Sequence, residues 1–268
     1  MDKRVITDKK VRLFVMMFMQ YAIWGAWYPV FSAYLQGSLG FSGTQVGVIY
    51  GLLSLATIIS PFIGGQLADR YFATQYVIAF LHLAGGVLLI FVSRIQVYQP
   101  MVWLFFIYCL TYAPTLGLTN SLAFHHLSDS EKEFGWVRVG GSIGWIIIGL
   151  VLAGWRYMAM RFQTLAYDGD TLLLAGVVSL LFGIYAFTLP HTPPNKEKKN
   201  PLAFLEAIKM MKNKSFAIFI IINFVVSTEL MFYYVLTGPF LVSDKIGIPI
   251  EAVSGVMVIA QIAEIVVM

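Results

Sequence analysis

Charge is scarce in this chain. Only 12% of its 268 residues are Asp, Glu, Lys or Arg, against about 25% in soluble domains. Too little polar surface remains to cover a globule in water, which excludes an ordinary water-soluble fold. Cysteine is nearly absent as well. The one present, Cys109, excludes an internal disulfide and any Cys-based zinc site. No metal pair is visible either, because His125 and His126 are adjacent and point about 100° apart on a helix. A nucleotide cradle, a thiol–histidine pair and a Ser-His-Asp arrangement are also missing, so an intramembrane enzyme lacks its parts. A signal peptide is excluded because the first apolar run is too long for its core and no small-residue cleavage pattern follows. That run reads as a retained spanning helix.

What the chain has in abundance is apolar length. It is 59% hydrophobic with a mean hydropathy of +0.77, so lipid must be part of its solvent. A bilayer core about 30 Å thick needs about 20 apolar residues at 1.5 Å rise each. Such runs occur at 13–35, 46–67, 76–93, 101–122, 137–154, 172–189 and 216–236, and an eighth extends from about 252 to the last residue. Barrel strands would be half as long and would alternate. Continuous runs of this length predict helices, the alternative that satisfies the backbone inside lipid.

The net charge of +4 could pass for a nucleic-acid footprint, but the basic residues sit between apolar runs. They predict topology instead, and no nucleic-acid partner. With the N-terminus in the cytoplasm, Lys3, Arg4, Lys9, Lys10, Arg12, Arg70, Lys132, Lys196, Lys198, Lys199, Lys209, Lys212 and Lys214 lie inside. Arg94, Arg156, Arg161 and Lys245 lie outside, and Arg138 falls at or within the membrane. That asymmetry places the N-terminus inside.

The connections are short except for a lysine-rich, Pro-containing stretch after Pro190. It holds an amphipathic piece, 202–211, with Leu202, Leu205, Ile208 and Met211 at helical spacing. The expected organisation is a six-helix bundle over 1–190, a basic cytoplasmic linker over 191–214, and two further helices over 215–268. This is the plan of transporters built from two six-helix halves. An end at Met268 without a polar flank reads as truncation before four more helices.

Ionisable groups inside spanning helices are expensive and usually face a cavity or one another. Here they are His82, Arg138, Glu229 and Glu264, with uncharged Gln20, Asn120, Asn223 and Gln261. Glu264 lies about 12 residues into the eighth run, roughly 18 Å along a helix and near mid-bilayer. Gln261 shares its face. A carboxyl and an amide side by side can bind a hydroxyl or a base edge, and low dielectric favours the protonated acid, which could load and release a proton. The residues alone leave a structural ion pair open as the second role of Glu264. Arg138, Ser142 and Trp145 recur at i, i+4 and i+7. A guanidinium, a hydroxyl and an indole on one face suit an aromatic, hydroxyl-rich ligand. For Arg138, gating or retention at the cytoplasmic end stays open, unless its helix starts earlier, around Lys132. His82 reads as a satisfied core residue alone among apolar neighbours. Asp168-Gly169-Asp170 reads as an external turn. Trp103, Trp136 and Trp155 read as interface anchors, and Pro61 and Pro114 as helix kinks.

Gly65-Gln66-Leu67-Ala68-Asp69-Arg70 resembles the loop motif of the major facilitator superfamily, with Gly65, Asp69 and Arg70 at its gating positions; Phe72 departs from the family's following glycine. Six further stretches, in chain order, resemble the nucleoside/proton symporter family of that superfamily. They are Gln20-Tyr21-Ala22-Ile23-Trp24-Gly25-Ala26-Trp27, Tyr112-Ala113-Pro114-Thr115-Leu116-Gly117-Leu118-Thr119-Asn120, Arg138-Val139-Gly140-Gly141-Ser142-Ile143-Gly144-Trp145, Thr188-Leu189-Pro190-His191, Glu229-Leu230 and Gln261-Ile262-Ala263-Glu264. The resemblance implies an all-α transporter fold and import of purine or pyrimidine nucleosides with protons. It implies a monomer in a bacterial inner membrane, with no cofactor beyond the coupling proton. It further implies that Arg138, Ser142, Trp145, Gln261 and Glu264 contact the nucleoside. Family members carry amides at the positions of Met231 and Tyr234, so base recognition on that side must differ here. Transport of another metabolite such as a sugar, or a non-transporting scaffold, are the alternatives.

Overall fold

The structure, a computed structural model, describes residues 3–60, 62, 64, 66–162, 169–194 and 209–267, excluding the side chains of 3–7, 69 and 264–267. Eight helices carry the apolar runs: α1 (Lys3–Trp27), α2 (Gly43–Ser60), α3 (Thr74–Val92), α4 (Tyr98–His126), α5 (Ser130–Arg161), α6 (Asp170–Ala186), α7 (Lys214–Val242) and α8 (Ile250–Val267). Six of them are long and apolar enough to cross a membrane, counting α1 with its continuation to Ser38. Of the other two, α6 has 17 residues, about 25 Å, and α8 has 18. Beyond α6 the chain goes on in tight turns, with Phe187, Thr188 and Leu189 each donating to a carbonyl three residues back.

The start of α5 differs from the apolar pattern, which began at 137. Asp129 caps the helix by accepting from the Lys132 N–H at 3.3 Å. Glu131 and Glu133 occupy the first turn, where the helix dipole favours negative charge. Two polar turns therefore precede the apolar run, and Arg138 sits more than two turns inside the helix.

Helix α1 breaks at Tyr28–Val30, around Pro29, before a short turn (Phe31–Ala33) and a π-helical turn (Tyr34–Ser38). One hydroxyl spans the break. Tyr50 on α2 donates to the Tyr28 carbonyl at 2.6 Å and accepts from the Ser32 N–H at 3.0 Å.

Close approach of backbones organises the bundle. A Cβ on Gly144 would lie 2.1 Å from the Phe18 carbonyl oxygen, and one on Gly140 would lie 2.6 Å from that of Phe14. Only glycine lets α5 lie this close to α1, the small-residue packing of membrane helices. Trp27, Phe31, Tyr50, Phe105, Tyr108 and Tyr112 fill the core beside them.

Two polar features lie inside the bundle. His82 is the satisfied core residue expected: it is buried, its Nε2 meets Gln20 Oε1 at 3.0 Å, and its Nδ1 meets Ser179 Oγ at 3.1 Å. Gln20 in turn donates to Thr115 Oγ1 at 2.9 Å, so side chains from α1, α3, α4 and α6 satisfy one another. Of the expected turn at Asp168-Gly169-Asp170, Gly169 lies in a turn, and the structure adds a buried ion pair at Asp170. Asp168 lies outside the described residues, while Asp170 opens α6 and takes the Arg156 guanidinium in a two-pronged contact.

Helices α7 and α8 join this bundle at one end. Val258 of α8 rests on Gly149 of α5, and Gly238 of α7 abuts Pro29, Ser32 and Ala33 at the α1 break. Val30, Leu152, Val253 and Met257 form a buried cluster there. Elsewhere α7 is largely exposed, with Gly238 its buried residue. The amphipathic piece of the linker lies outside the described residues apart from its last residues, of which Met211 is exposed. Pro114 sits within an uninterrupted α4, and Pro61 is outside the described residues. Trp103, Trp136 and Trp155 are all exposed.

Candidate functional site

Helical spacing aligns Arg138, Ser142 and Trp145 along α5, and the fold turns that line toward α7 and α8. Between them lies a cavity of about 550 Å³. Arg138, Gly141, Ser142 and Trp145 form one wall, and Tyr21 and Trp24 of α1 continue it. Leu230, Tyr233 and Tyr234 of α7, with Ala260 and Gln261 of α8, face them.

The Arg138 guanidinium lies over the Tyr21 ring, 4.0 Å from its centroid. Such stacking holds the charge while leaving its edge donors free. Gly141 makes the contact possible, since a Cβ there would stand 2.7 Å from both Arg138 Nη1 and the Tyr21 ring. Among the described residues no carboxylate pairs with Arg138. Two turns further along α5, Trp145 is buried and meets Trp24 edge-to-face at 5.6 Å and Tyr234 at the same distance. The Trp24 indole N–H is buried with no hydrogen-bond partner among the described residues. The cavity thus has an aromatic end at Trp145 and a polar end at Arg138 and Ser142. This arrangement can stack a planar ring and donate hydrogen bonds to oxygens about one molecule-length away.

Of the residues singled out in the sequence, Arg138, Ser142, Trp145, Tyr234 and Gln261 come together. Met231 does not line this cavity. It borders an adjoining hollow with Ser54, Thr57 and Ser227, and its sulfur accepts from the Tyr28 hydroxyl at 2.9 Å. The Glu264 side chain lies outside the described residues, although its helix turn follows Gln261 directly. Gly65 and the Asp69 side chain are likewise outside them, and Arg70 is exposed at the end of a short helix, Gln66–Arg70. Glu229 and Asn223 are exposed on α7. Tyr21, Trp24 and Leu230 entered only as parts of the family-like stretches, with no site role, and Tyr233 not at all. Their signal was a pair of aromatics at i and i+3 on α1 and two consecutive tyrosines on α7.

A family model described as Nucleoside H+ symporter matches residues 7–268. The chain belongs to that family. YegT of Escherichia coli (strain K12) is 34% identical over 257 residues, covering 95% of this chain and 59% of that protein. Nucleoside permease NupG of the same organism is 28% identical over 271 residues, covering 95% and 62%. A crystal structure of the nucleoside transporter NupG superposes with a TM-score of 0.79 at 26% identity, covering 96% of this chain and 65% of that one. The chain is therefore a multi-pass membrane protein with the all-α major facilitator fold, and it spans about 60% of the length of the curated relatives it matches.

Proposed function

We propose that the protein to which this chain belongs is a secondary transporter importing nucleosides with protons across the bacterial inner membrane. Family membership over nearly the whole chain supports the substrate class. The observation that carries the reading for this chain is the cavity itself. Helices on both sides of the linker contribute to it, α1 and α5 before and α7 and α8 after, as alternating access around a shared site requires.

In this reading residues 1–190 form the first bundle, 191–214 the cytoplasmic linker and 215–268 the opening part of the second bundle. The nucleoside base stacks at Trp145, Trp24 and Tyr234, while Arg138, Ser142 and Gln261 take hydroxyl and carbonyl oxygens. Glu264 is the proton carrier and touches the ligand. The proton is the coupling ion, and no cofactor takes part. Gly65, Asp69 and Arg70 serve gating in the loop between α2 and α3. With the N-terminus cytoplasmic, the end at the α1 break, which the buried cluster of Val30, Leu152, Val253 and Met257 seals, faces outward, and the cavity opens toward the cytoplasm. The transporter works as a monomer in lipid and needs helices beyond residue 268. This segment alone does not transport.

Uptake of labelled uridine and adenosine by cells expressing the full-length protein tests the reading. Uptake should fall at least tenfold in Arg138→Ala and in Glu264→Ala, and should collapse with a protonophore. Response to sugars with indifference to nucleosides would overturn the substrate class.

A further inference from the structure

We propose that Tyr28 couples occupancy of the cavity to closure of the sealed end, acting as a positioning residue and not as a ligand contact. The inference rests on the transporter reading above.

Three contacts meet at this residue. Its ring lies 4.8 Å from that of Tyr234, which lines the cavity. Its hydroxyl donates to the Met231 sulfur on the neighbouring turn of α7. Its carbonyl, left over where α1 breaks, is held by Tyr50. Tyr28 is thus tied to α2 through its carbonyl and through its ring, 5.2 Å from that of Tyr50, and to α7 through its hydroxyl and its ring. The same stretch of α1 continues into Val30, which belongs to the buried cluster with Leu152, Val253 and Met257. A ligand that moves Tyr234 must therefore move or strain the Tyr28 ring, and with it the segment that seals this end.

The chemistry of the latch is asymmetric. The Tyr50 end uses a phenol between two backbone groups, which are strong partners. The α7 end uses a thioether, a weak acceptor. The strong end keeps the break of α1 in one piece, and the weak end is where the two units part. A side chain amide at 231 would hold the same phenol more firmly.

The test uses the full-length protein in membranes, with native cysteines replaced and Val30→Cys introduced as a probe of the sealed end. Val30 is buried, so a membrane-impermeant maleimide labels it only when that end opens. Tyr28→Phe keeps all the ring packing and removes one hydroxyl. Labelling should become about two- to fivefold faster, the population change expected from one modest hydrogen bond. Met231→Gln should slow it by a similar factor. Adding uridine or adenosine should change the labelling rate less in Tyr28→Phe than with Tyr28 present, because the ring still meets Tyr234 while the bond to α7 is gone, and the nucleoside dissociation constant should stay within about twofold. Equal labelling rates in all three proteins, each monodisperse after purification, would overturn the proposal. The comparison without ligand does not depend on substrate identity. A failure of nucleosides to bind would refute the transport reading while leaving the latch tested by the ligand-free rates.

Discussion

Cutting the Arg156–Asp170 pair from one side should cost far more than replacing it whole. Both side chains are 7% exposed, and Nε reaches Oδ2 at 2.9 Å while Nη2 reaches Oδ1 at 2.5 Å. Val151, Leu152, Trp155, Leu173, Leu174 and Val177 border the hollow beside Asp170. Arg156→Met strands a carboxylate among these side chains, at about 3–5 kcal/mol for a buried charge left without its partner. The start of α6 returns at most about 2 kcal/mol to Asp170 through the helix dipole. Asp170→Leu should cost less, because Arg156 is close to the end of α5 and its long stem can carry the freed charge to the interface. The double variant Arg156→Met/Asp170→Leu removes both charges and should lie within about 1 kcal/mol of the parent. Thermal retention of a monodisperse peak by the full-length protein in detergent gives the order: parent and double variant highest, Asp170→Leu next, Arg156→Met lowest. Lys132→Ala, which cuts an exposed pair with Asp129 at 85% and 43% exposure, is the control and should change little. A double variant as unstable as Arg156→Met would refute the reasoning, since it would mean that the pair's shape matters and its charge balance does not.

Gly144→Ala should destabilise by about 1–3 kcal/mol, because the new methyl meets the Phe18 carbonyl, which is backbone and cannot swing away. Gly117→Ala, with open space around its Cβ, should be neutral or stabilising by up to about 1 kcal/mol; equal losses in the same thermal assay would refute the packing argument. Gln20→Leu should cost about 1–3 kcal/mol by orphaning His82 Nε2, and His82→Phe added to it should recover part of the loss, a non-additivity readable from a double-mutant cycle. Arg138→Lys should bind nucleoside at least tenfold more weakly by calorimetry on the full-length protein, because an ammonium cannot both lie flat on Tyr21 and present a planar fork. Parent-like affinity would show that the guanidinium's shape is irrelevant.

The helices were legible in the sequence because lipid imposes a length on them. An apolar run of about 20 residues has few other folds, and the runs over 76–93 and 101–122 correspond to α3 (Thr74–Val92) and the middle of α4 (Tyr98–His126). Helix starts built from polar residues were less legible. Asp129 and its following acids are a cap signal, but an apolar window ignores them, and this hid how deep Arg138 lies. The α5 face of the cavity followed from spacing alone. The α1 face did not. In a soluble helix Tyr21 and Trp24 would stand out against a polar face, whereas in a spanning helix every face is apolar and periodicity carries no contrast. The His82 network was hidden for a different reason. Its members Gln20, His82, Thr115 and Ser179 belong to four helices, and no one-dimensional spacing relates them.

One geometric regularity ties the core, the cavity and the sealed end together. Gln20, Trp24 and Tyr28 follow one another at i, i+4 and i+8 on α1. Four residues advance the helix by a little more than one turn, so such a row drifts about 40° around the axis at each step. The row therefore begins inside the first bundle, where Gln20 meets His82 and Thr115. It passes the cavity at Trp24, against Trp145, and comes out at the unit boundary at Tyr28, against Met231 and Tyr234. The polar network locks the rotation of α1 at one end of the row. Any turn of the helix about its axis would break the Gln20 bonds before it could carry Tyr28 away from α7. In the proposed transport cycle, separation of the two units at this end would come from movement of α7 and α8, or from bending at the Tyr28–Val30 break, with the part of α1 that precedes it held in the first bundle. Such bending falls at the break, where the Tyr50 phenol and the bond from the Val30 N–H to the Trp27 carbonyl stand in for the regular helical ladder.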